Sequence, residues 1–543
     1  MSRPSPARTL GALVDHAADA LGAREAVVFG KQRQTFDELR DDTIAVAKGL
    51  LALGVEPGEH LMLFLPNSFE WLHAFYGAAR IGAVLVPVNT RFRSVDLEYV
   101  LRQSDAATLI MVAQSGGVDY LAMLRELLPE IDRPDTNIKS ARFPRLRRVI
   151  VSGGAASAGA LGWAQLLRAG QAVDEGSLQA RASAVEPAAP ALMLYTSGTT
   201  GSPKGALHSH AMLRTVADGA NRLGITTRDA ILLFLPLFHS MGLYLGGMLF
   251  LVAGARLVLM ERFDAGLALE LIEGERVTLL LGFDTHYFDL LEHPDFRTRD
   301  HASVRLGMVP AGAAGVEPLA RRVNRELGRS FSGYGSSECG TGIALSFIDA
   351  SEDARCRGSG YPMPGYEYQT RDPDSGRPTP PDVAGEIWVR GYGVMLAYYG
   401  KPAETAQAFD SERWFRTGDM ATIDADGFLR YMGRYKDMLK VGGENVDPTE
   451  VEAFLEGHPD IAQVKLIGMP DARLGEAPVA CVIARAGRTV STESVRAFCA
   501  GQIASFKVPR QVVMVDAFPM TTTGKVQRAL LREEVQRRQA EAK

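Results

Sequence analysis

The chain has 543 residues, which is too long for a single hydrophobic core, so at least two domains are expected. Its 46% hydrophobic and 23% charged residues are ordinary for a globular protein, and a net charge of −5 argues against a general nucleic-acid-binding protein. The four cysteines form no C-x-x-C pair, which argues against a zinc site or a thioredoxin-like motif. So few cysteines predict a reducing, cytoplasmic location, and the lack of a sustained apolar segment near the N-terminus argues against a secretory signal. A short organelle transit peptide stays open as an alternative.

Helix and strand signals alternate through the first part of the chain. Thr35 and Glu38 form a capping-box pattern ahead of an amphipathic run that reaches Leu53. The next predicted elements are strands at 60–65, 83–88 and 108–112 and helices at 69–81 and 94–102. Residues 115–190 have a weaker apolar pattern, with surface loops expected at 153–160 and 181–190. This alternation predicts an α/β protein with a mainly parallel, helix-covered sheet.

The alternation resumes after residue 205, and the chain then changes character twice. Predicted strands lie at 231–235, 256–259, 278–281 and 304–309. The apolar stretch from Met241 to Ala255 is too short for a confident membrane span and is predicted to be a buried helix, while peripheral membrane contact stays open. Short apolar runs between 365 and 427 predict antiparallel β structure. A separate last segment begins near Gly433, so we predict domains at 1–432 and 437–543 joined by a connector at 433–436.

One loop carries the strongest functional signal. The stretch Tyr195-Thr-Ser-Gly-Thr-Thr-Gly-Ser-Pro-Lys-Gly205 follows an apolar strand and holds five Ser/Thr hydroxyls, three glycines and a lysine. Glycine-rich backbone and hydroxyls bind anions well, so a polyphosphate ligand is predicted. A Walker-type P-loop is excluded because Pro203 stands where its second glycine belongs and no Ser or Thr follows Lys204. A flexible polar linker is the alternative interpretation.

Four further segments contain residue types that suit phosphate and nucleotide chemistry. Each has an unremarkable reading by itself: a surface carboxylate, a turn residue, a connector or a solvated tail charge. The combination in this order is far more specific than any one of them. The segments are Gly333-Tyr-Gly-Ser-Ser-Glu-Cys-Gly340, Trp414-Phe-Arg-Thr-Gly-Asp419, Gly433-Arg-Tyr-Lys-Asp-Met-Leu-Lys-Val-Gly-Gly-Glu444 and Thr521-Thr-Thr-Gly-Lys-Val-Gln-Arg528.

With these five motifs the chain resembles the adenylate-forming superfamily, which includes acyl-CoA synthetases, firefly-type luciferases and adenylation domains of peptide synthetases. The resemblance implies a large N-terminal domain of two α/β subdomains and a distorted β-barrel, followed by a small mobile α+β domain. It also implies that a carboxylic acid reacts with ATP to give an acyl-adenylate and pyrophosphate. A thiol, usually that of coenzyme A, then displaces AMP. ATP, Mg²⁺, CoA and a small carboxylic acid are thus the expected partners, and a homodimer stays open.

The resemblance also assigns roles to individual residues. The expected ligands of the β- and γ-phosphates lie in the glycine-rich loop: Thr196, Ser197, Gly198, Thr199, Thr200, Gly201 and Lys204. The expected adenosine site comprises Gly312, Ala313, Ala314, Tyr334, Gly335, Ser337, Asp419 and Arg434. Glu338 and Thr196 are the expected Mg²⁺ ligands, and one protein carboxylate suits a metal that keeps phosphate and water oxygens in its shell.

Domain rotation is a further implication of the resemblance. Lys525, on the small domain, is expected to reach the α-phosphate and the substrate carboxylate during adenylation and to withdraw before CoA enters. Lys436 matches the hinge residue. Lys440, Gly442 and Gly443 are expected to line the CoA passage, and His239 matches a gate beside the carboxylate.

The chain departs from the family pattern at Gly282-Phe-Asp-Thr-His-Tyr287, where many relatives have Val-Pro. We favour Asp284 as a helix N-cap and His286 as a hydrogen-bonded side chain. Contact with a polar group on the acyl substrate is the alternative. Ser337 replaces a common Thr, and Asp447 stands where an aromatic residue or Ser is frequent.

The residues around the expected acyl site are apolar or aromatic: Phe238, Met241, Tyr244, Leu245 and Phe283. They predict a medium- or long-chain fatty acid as substrate. An aromatic or alicyclic acid, or the loading of a free carrier protein, are alternatives. A catalytically inactive nucleotide-binding protein is a remote alternative, because Lys204, Glu338, Asp419, Arg434 and Lys525 are all present. A hydrolase is disfavoured because the chain has no G-x-S-x-G elbow.

Overall fold

Two large sheets organise the first four-fifths of this computed structural model. It describes residues 7–154, 156–196, 203–310, 316–372, 375–434, 439–446, 448–519, 526 and 528–541. None of the helices in these ranges is long and apolar enough to cross a membrane.

The helices begin mostly at side-chain caps, as at Thr35, where the predicted capping box with Glu38 is present. They are α1 Leu10–Leu21, α2 Phe36–Ala52, α3 Phe69–Arg80, α4 Ser94–Gln103, α5 Tyr120–Leu127, α6 Trp163–Gly170, α7 Glu175–Ser183, α8 Met212–Arg222, α9 Ser240–Gly242, α10 Leu249–Ala253, α11 Ala265–Gly274, α12 Asp284–Leu291, α13 Glu317–Glu326, α14 Glu352–Arg357, α15 Pro402–Ala408, α16 Pro448–Leu455, α17 Thr492–Cys499 and α18 Arg528–Glu541. A π-helical turn at Leu243–Met248 joins α9 to α10, so the apolar stretch predicted as one buried helix is helical from Met241 to Ala253 and stops at the left-handed Gly254, one residue before its predicted end.

The strands are short, and most of those in the two large sheets are buried apolar runs. They are β1 Glu25–Phe29, β2 Gln32–Thr35, β3 His60–Phe64, β4 Val84–Pro87, β5 Thr108–Val112, β6 Gln114–Ser115, β7 Val118–Asp119, β8 Arg148–Ser152, β9 Leu161–Gly162, β10 Pro190–Thr196, β11 Lys204–Ser209, β12 Ala230–Leu233, β13 Arg256–Leu259, β14 Leu279–Leu281, β15 Leu306–Met308, β16 Arg329–Phe331, β17 Gly333–Ser336, β18 Gly340–Leu345, β19 Tyr361–Pro362, β20 Tyr366–Arg371, β21 Gly385–Gly391, β22 Ala397–Tyr398, β23 Phe415–Ile423, β24 Leu429–Arg434, β25 Leu439–Val441, β26 Glu444–Val446, β27 Ile461–Asp471, β28 Gly475–Ala484 and β29 Gln511–Met514.

The two large sheets confirm the predicted α/β class. One has seven strands in the order β16-β15-β14-β12-β13-β1-β2, parallel except for the β1–β2 pair. The other has eight strands in the order β22-β11-β10-β4-β3-β5-β8-β9, with β22 antiparallel to β11. Parallel strands need cover on both faces, which explains their continuous apolar sequence.

Smaller antiparallel sheets follow, of which only the four-stranded one lies largely in the region that the runs between 365 and 427 predicted. A four-stranded sheet has the order β20-β21-β23-β24, and a three-stranded sheet has the order β17-β18-β19. The prediction of loop at 181–190 is wrong at its start, because α7 runs to Ser183 from an Asp174 cap.

The chain divides into two compact units. The larger comprises 1–90, 100–195 and 205–433, and the smaller comprises 91–99, 196–204 and 434–543. The smaller unit has its own sheet of β25 to β29, in which β28 pairs with β25, β27 and β29.

Candidate functional site

Several of the predicted site residues follow the carboxyl ends of parallel strands in the seven-stranded sheet. His239 comes after β12, His286 after β14, and Tyr334 after β16. The carboxyl ends of parallel strands lie at one edge of a sheet, which is where α/β proteins place their ligands. The predicted adenine-loop residues Gly312, Ala313 and Ala314 come after β15 in the sequence and lie outside the described residues.

Tyr334 and Asp419 meet directly. The Tyr334 hydroxyl donates to Asp419 Oδ2 at 2.7 Å, and both residues are buried. Burial, and next the negative charge of Asp419, raise the pKa of Tyr334 well above its ordinary value, so the phenol stays protonated. Tyr431 stacks on the Tyr334 ring at a centroid distance of 5.6 Å. The structure thus brings together the predicted adenine and ribose residues.

Glu338 lies in a tight turn between β17 and β18. Residues 333–336 form β17, so the turn itself is limited to residues 337–339. Gly335 has no room for a side chain, because a Cβ there would lie 2.4 Å from the backbone nitrogen of Gly342. Burial raises the pKa of the Cys339 thiol to about 12, which leaves it unreactive at neutral pH.

The region of His239 touches the Glu338 turn. The hydroxyl of Ser337 donates to that of Ser240, the residue after His239, at 3.3 Å. His239 caps α9, where its Nδ1 accepts the N–H of Met241 at 3.4 Å. The predicted gate residue and the predicted metal ligand therefore lie on neighbouring segments.

An aromatic cluster continues from His239 to His286. Phe283 lies edge-on to His239 with centroids 6.4 Å apart, and the His286 ring lies 4.9 Å from Phe234 and 4.7 Å from Phe263. The prediction that Asp284 is the N-cap is wrong. Phe283 is the N-cap residue of α12, and Nδ1 of His286 accepts its N–H at 3.1 Å. The hydrogen bond expected for His286 is thereby confirmed.

The structure describes the predicted phosphate loop only at its two ends. Thr196 ends β10, and its buried hydroxyl has no hydrogen-bond partner within the described chain. Lys204 begins β11. The other predicted residues of the loop lie outside the described residues: Ser197, Gly198, Thr199, Thr200 and Gly201. A buried hydroxyl without a partner is unusual and suits a ligand oxygen or a metal.

The smaller unit holds the predicted CoA residues. Lys440 is in β25, and Gly442 and Gly443 form the turn to β26 with left-handed φ of 57° and 83°, which only glycine adopts freely. The roles of Lys440, Gly442 and Gly443 stay predictions. Arg434 ends β24, but its side chain is outside the description, and Lys436 and Lys525 lie outside the described residues.

Three side chains in the described part of the site were not predicted from the sequence. Tyr398 donates its hydroxyl to Glu338 Oε1 at 3.2 Å, His208 bonds the carbonyl oxygen of Ser337 at 2.7 Å, and Tyr431 stacks on Tyr334. None of them belongs to a glycine-rich or charged motif. Only the position of His208 on the strand after the phosphate loop could have singled it out.

Comparison with known proteins extends over nearly the whole chain. The model of the AMP-binding enzyme family matches residues 14–399, and that of the AMP-binding enzyme C-terminal domain matches residues 450–525. YngI of Bacillus subtilis (strain 168), provisionally named an acyl-CoA synthetase, is 34% identical over 97% of this chain and 96% of its own length. The mitochondrial medium-chain acyl-CoA ligase ACSF2 of Bos taurus is 33% identical over 97% of this chain and 88% of its own. The structure of the anthranilate CoA ligase AuaEII in complex with anthranoyl-AMP has a TM-score of 0.71 at 27% identity and covers 98% of both chains.

Proposed function

Since the chain belongs to the AMP-binding enzyme family and is an AMP-forming acid–CoA ligase, we propose that its acid is a medium- or long-chain fatty acid. The observation that carries this proposal is the likeness, over nearly its full length, to a ligase named for medium-chain acids. The apolar surroundings of His239 are compatible with an alkyl tail, since Met241 and Tyr244 are buried among apolar side chains.

The residues present fit a magnesium nucleotide. The Glu338 carboxylate and the Thr196 hydroxyl, which has no hydrogen-bond partner among the described residues, are the hard oxygen donors that Mg²⁺ prefers. When bound, the ion would offset the charge of the triphosphate. Tyr334 and Asp419 would bind the adenosine. Lys204 would hold the phosphates of the loop, and Lys525 would bring a second positive charge to the α-phosphate.

The reaction joins two anions and then exchanges a leaving group. The acid's carboxylate oxygen attacks the α-phosphorus of ATP, and pyrophosphate leaves with the electron pair of the broken P–O bond. The CoA sulfur then attacks the acyl carbon, and AMP leaves. We propose that His239 borders the carboxylate and that the small unit, turning about Lys436, withdraws Lys525 between the two steps.

An aromatic acid is a second candidate, and the ring cluster of Phe234, Phe263, Phe283 and His286 favours it. Planar rings pack well against such a cluster. The solved anthranilate ligase shows that this chemistry occurs on the same fold.

An acid panel separates the candidates. The purified enzyme is supplied with ATP, Mg²⁺, CoA and one acid from a series running from butyrate to palmitate or from a set of benzoates. We expect pyrophosphate release and a CoA thioester with laurate or a neighbouring chain length, at a kcat/KM at least about tenfold above any benzoate, because a few buried methylenes supply that discrimination. Higher values for benzoates would favour the second candidate. Pyrophosphate release without a CoA thioester from any acid would reject CoA as the acceptor, and a carrier protein would be tested in its place.

A further inference from the structure

The turn that carries Glu338 is held by the paired strands β11 and β22. His208, buried in β11, donates from Nε2 to the carbonyl oxygen of Ser337 at 2.7 Å. The N–H of Met395, just before β22, donates to the carbonyl oxygen of Glu338 at 2.7 Å. The backbone on both sides of the Glu338 side chain is therefore fixed.

Tyr398 of β22 reaches the carboxylate itself. Its hydroxyl donates to Glu338 Oε1 at 3.2 Å, and the residue is only 8% exposed. The Tyr398 backbone is anchored by pairing with Ala206 across the two strands and by an N–H bond to Thr405 Oγ1 at 3.0 Å. A buried ring on an anchored strand has little freedom, so it presents its hydroxyl in one place.

We propose that Tyr398 is a positioning residue that orients the Glu338 carboxylate for the magnesium ion of the nucleotide. This inference rests on the proposed function, in which Glu338 is the metal-binding carboxylate. A glutamate side chain has three rotatable bonds, and fixing it costs entropy at the moment of binding. A hydrogen bond that holds one carboxylate oxygen beforehand removes part of that cost and presents the other oxygen in one direction. Mg²⁺ demands near-ideal ligand geometry, so it is sensitive to this orientation.

The test uses Tyr398→Phe in the full-length protein, which removes the hydroxyl and keeps the ring. Tyr368→Phe is the matched control, because the Tyr368 hydroxyl donates to the carbonyl oxygen of Gly427 at 2.6 Å and not to a site residue. ATP binding is measured by isothermal titration calorimetry, first with EDTA and then at increasing MgCl₂. Both substitutions are repeated with Glu338→Gln, which isolates any effect that passes through the carboxylate.

For Tyr398→Phe we expect the Mg²⁺ concentration that gives half of the gain in ATP affinity to rise about tenfold, the size typical of losing a side chain that supports a metal ligand. ATP affinity in EDTA and the thermal midpoint should match wild type, and Tyr368→Phe should leave all three quantities unchanged. In the Glu338→Gln background the effect of Tyr398→Phe should vanish.

Two results would overturn the inference: an unaltered Mg²⁺ dependence in Tyr398→Phe, or an equal shift with and without Glu338. These would leave the ligase activity standing, since ATP binding is measured without any acid. A wild-type protein whose ATP affinity ignores Mg²⁺ would reject the magnesium role in the proposed function, and this inference with it.

Discussion

Three histidines in the larger unit, His73, His208 and His210, are buried and uncharged at neutral pH. Burial lowers the pKa of each to about 4. The geometry at His210 agrees, because its Nδ1 accepts the N–H of Leu10 at 3.1 Å and so carries no proton. This hydrogen bond satisfies the first N–H of α1 with a side chain 200 residues later in the sequence.

These histidines make stability depend on pH in one direction. In the folded state the pKa is near 4, whereas an exposed histidine titrates near 6.5, so between these values the unfolded chain binds more protons. The free energy of unfolding therefore has its full value above about pH 6.5 and decreases as the pH drops toward about 4. Each histidine adds a slope of at most about 1.4 kcal/mol per pH unit.

His210→Asn tests this directly, because an asparagine oxygen can accept the Leu10 N–H and does not titrate. We expect urea unfolding of the variant, measured between pH 7.5 and 4.5, to show a slope shallower than wild type by about 1.4 kcal/mol per pH unit at most. Stability at pH 7.5 should change by less than about 1 kcal/mol, since the hydrogen bond is kept. Parallel pH curves for the two proteins would show that His210 is not the titrating group.

At the scale of elements, the sequence predicts the helices and strands whose formation depends mainly on their own residues. The strands Thr108–Val112 and Arg256–Leu259 were predicted to the residue, because apolar runs between polar neighbours have few alternatives. The start of α12 was misjudged because Asp284 is a common N-cap type, while the bond that caps the helix comes from His286, set among the rings of Phe234 and Phe263.

The candidate site divides in the same way. Motif residues such as Tyr334, Glu338 and Asp419 could be found because their residue types and spacing are specific. Tyr398 could not, and His208 was marked only by its position on the strand after the predicted phosphate loop, since each reaches the Glu338 turn from a strand far away in the sequence and only the sheet pairing brings them together. Supporting side chains leave no local pattern, because their role depends on tertiary contacts alone.

In the smaller unit, a buried carboxylate joins three elements. Glu452 of α16 is 4% exposed at its side chain and binds Lys465 Nζ of β27 at 2.7 Å and the Arg528 guanidinium of α18 at 2.8 Å. Glu452 Oε1, the oxygen that contacts Arg528, also accepts the N–H of Leu466 at 2.8 Å. The network therefore holds α18 and α16 onto β27.

Glu452→Gln should destabilise the smaller unit by roughly 1–3 kcal/mol, because the amide cannot pair with two cations in place of the carboxylate. Lys465→Met is the graded comparison. The Lys465 side chain is 27% exposed, so water screens this ion pair and its loss should cost about 1 kcal/mol or less. Thermal unfolding followed by circular dichroism ranks the two variants. An equal loss of stability in both would mean that the ion pair between Glu452 and Arg528 adds nothing.

At the scale of the whole molecule, the two units have separate hydrophobic cores. The core of the larger unit includes side chains from both large sheets, among them Leu63, Leu192 and Leu280. The core of the smaller unit comprises Ile467, Met469, Val479, Cys481, Val515, Phe518, Leu531 and Val535. Units with their own cores are expected to unfold as separate cooperative blocks.

Scanning calorimetry of the ligand-free protein should therefore show two overlapping transitions. The smaller unit is roughly a quarter of the chain, and unfolding enthalpy scales with residue number, so its transition should carry roughly a quarter of the total heat. Glu452→Gln should lower the midpoint of that transition alone, whereas acidification below about pH 6.5 should lower mainly the other, which contains His73, His208 and His210. One transition whose calorimetric and van't Hoff enthalpies agree would contradict this, because a single cooperative block would then span both cores.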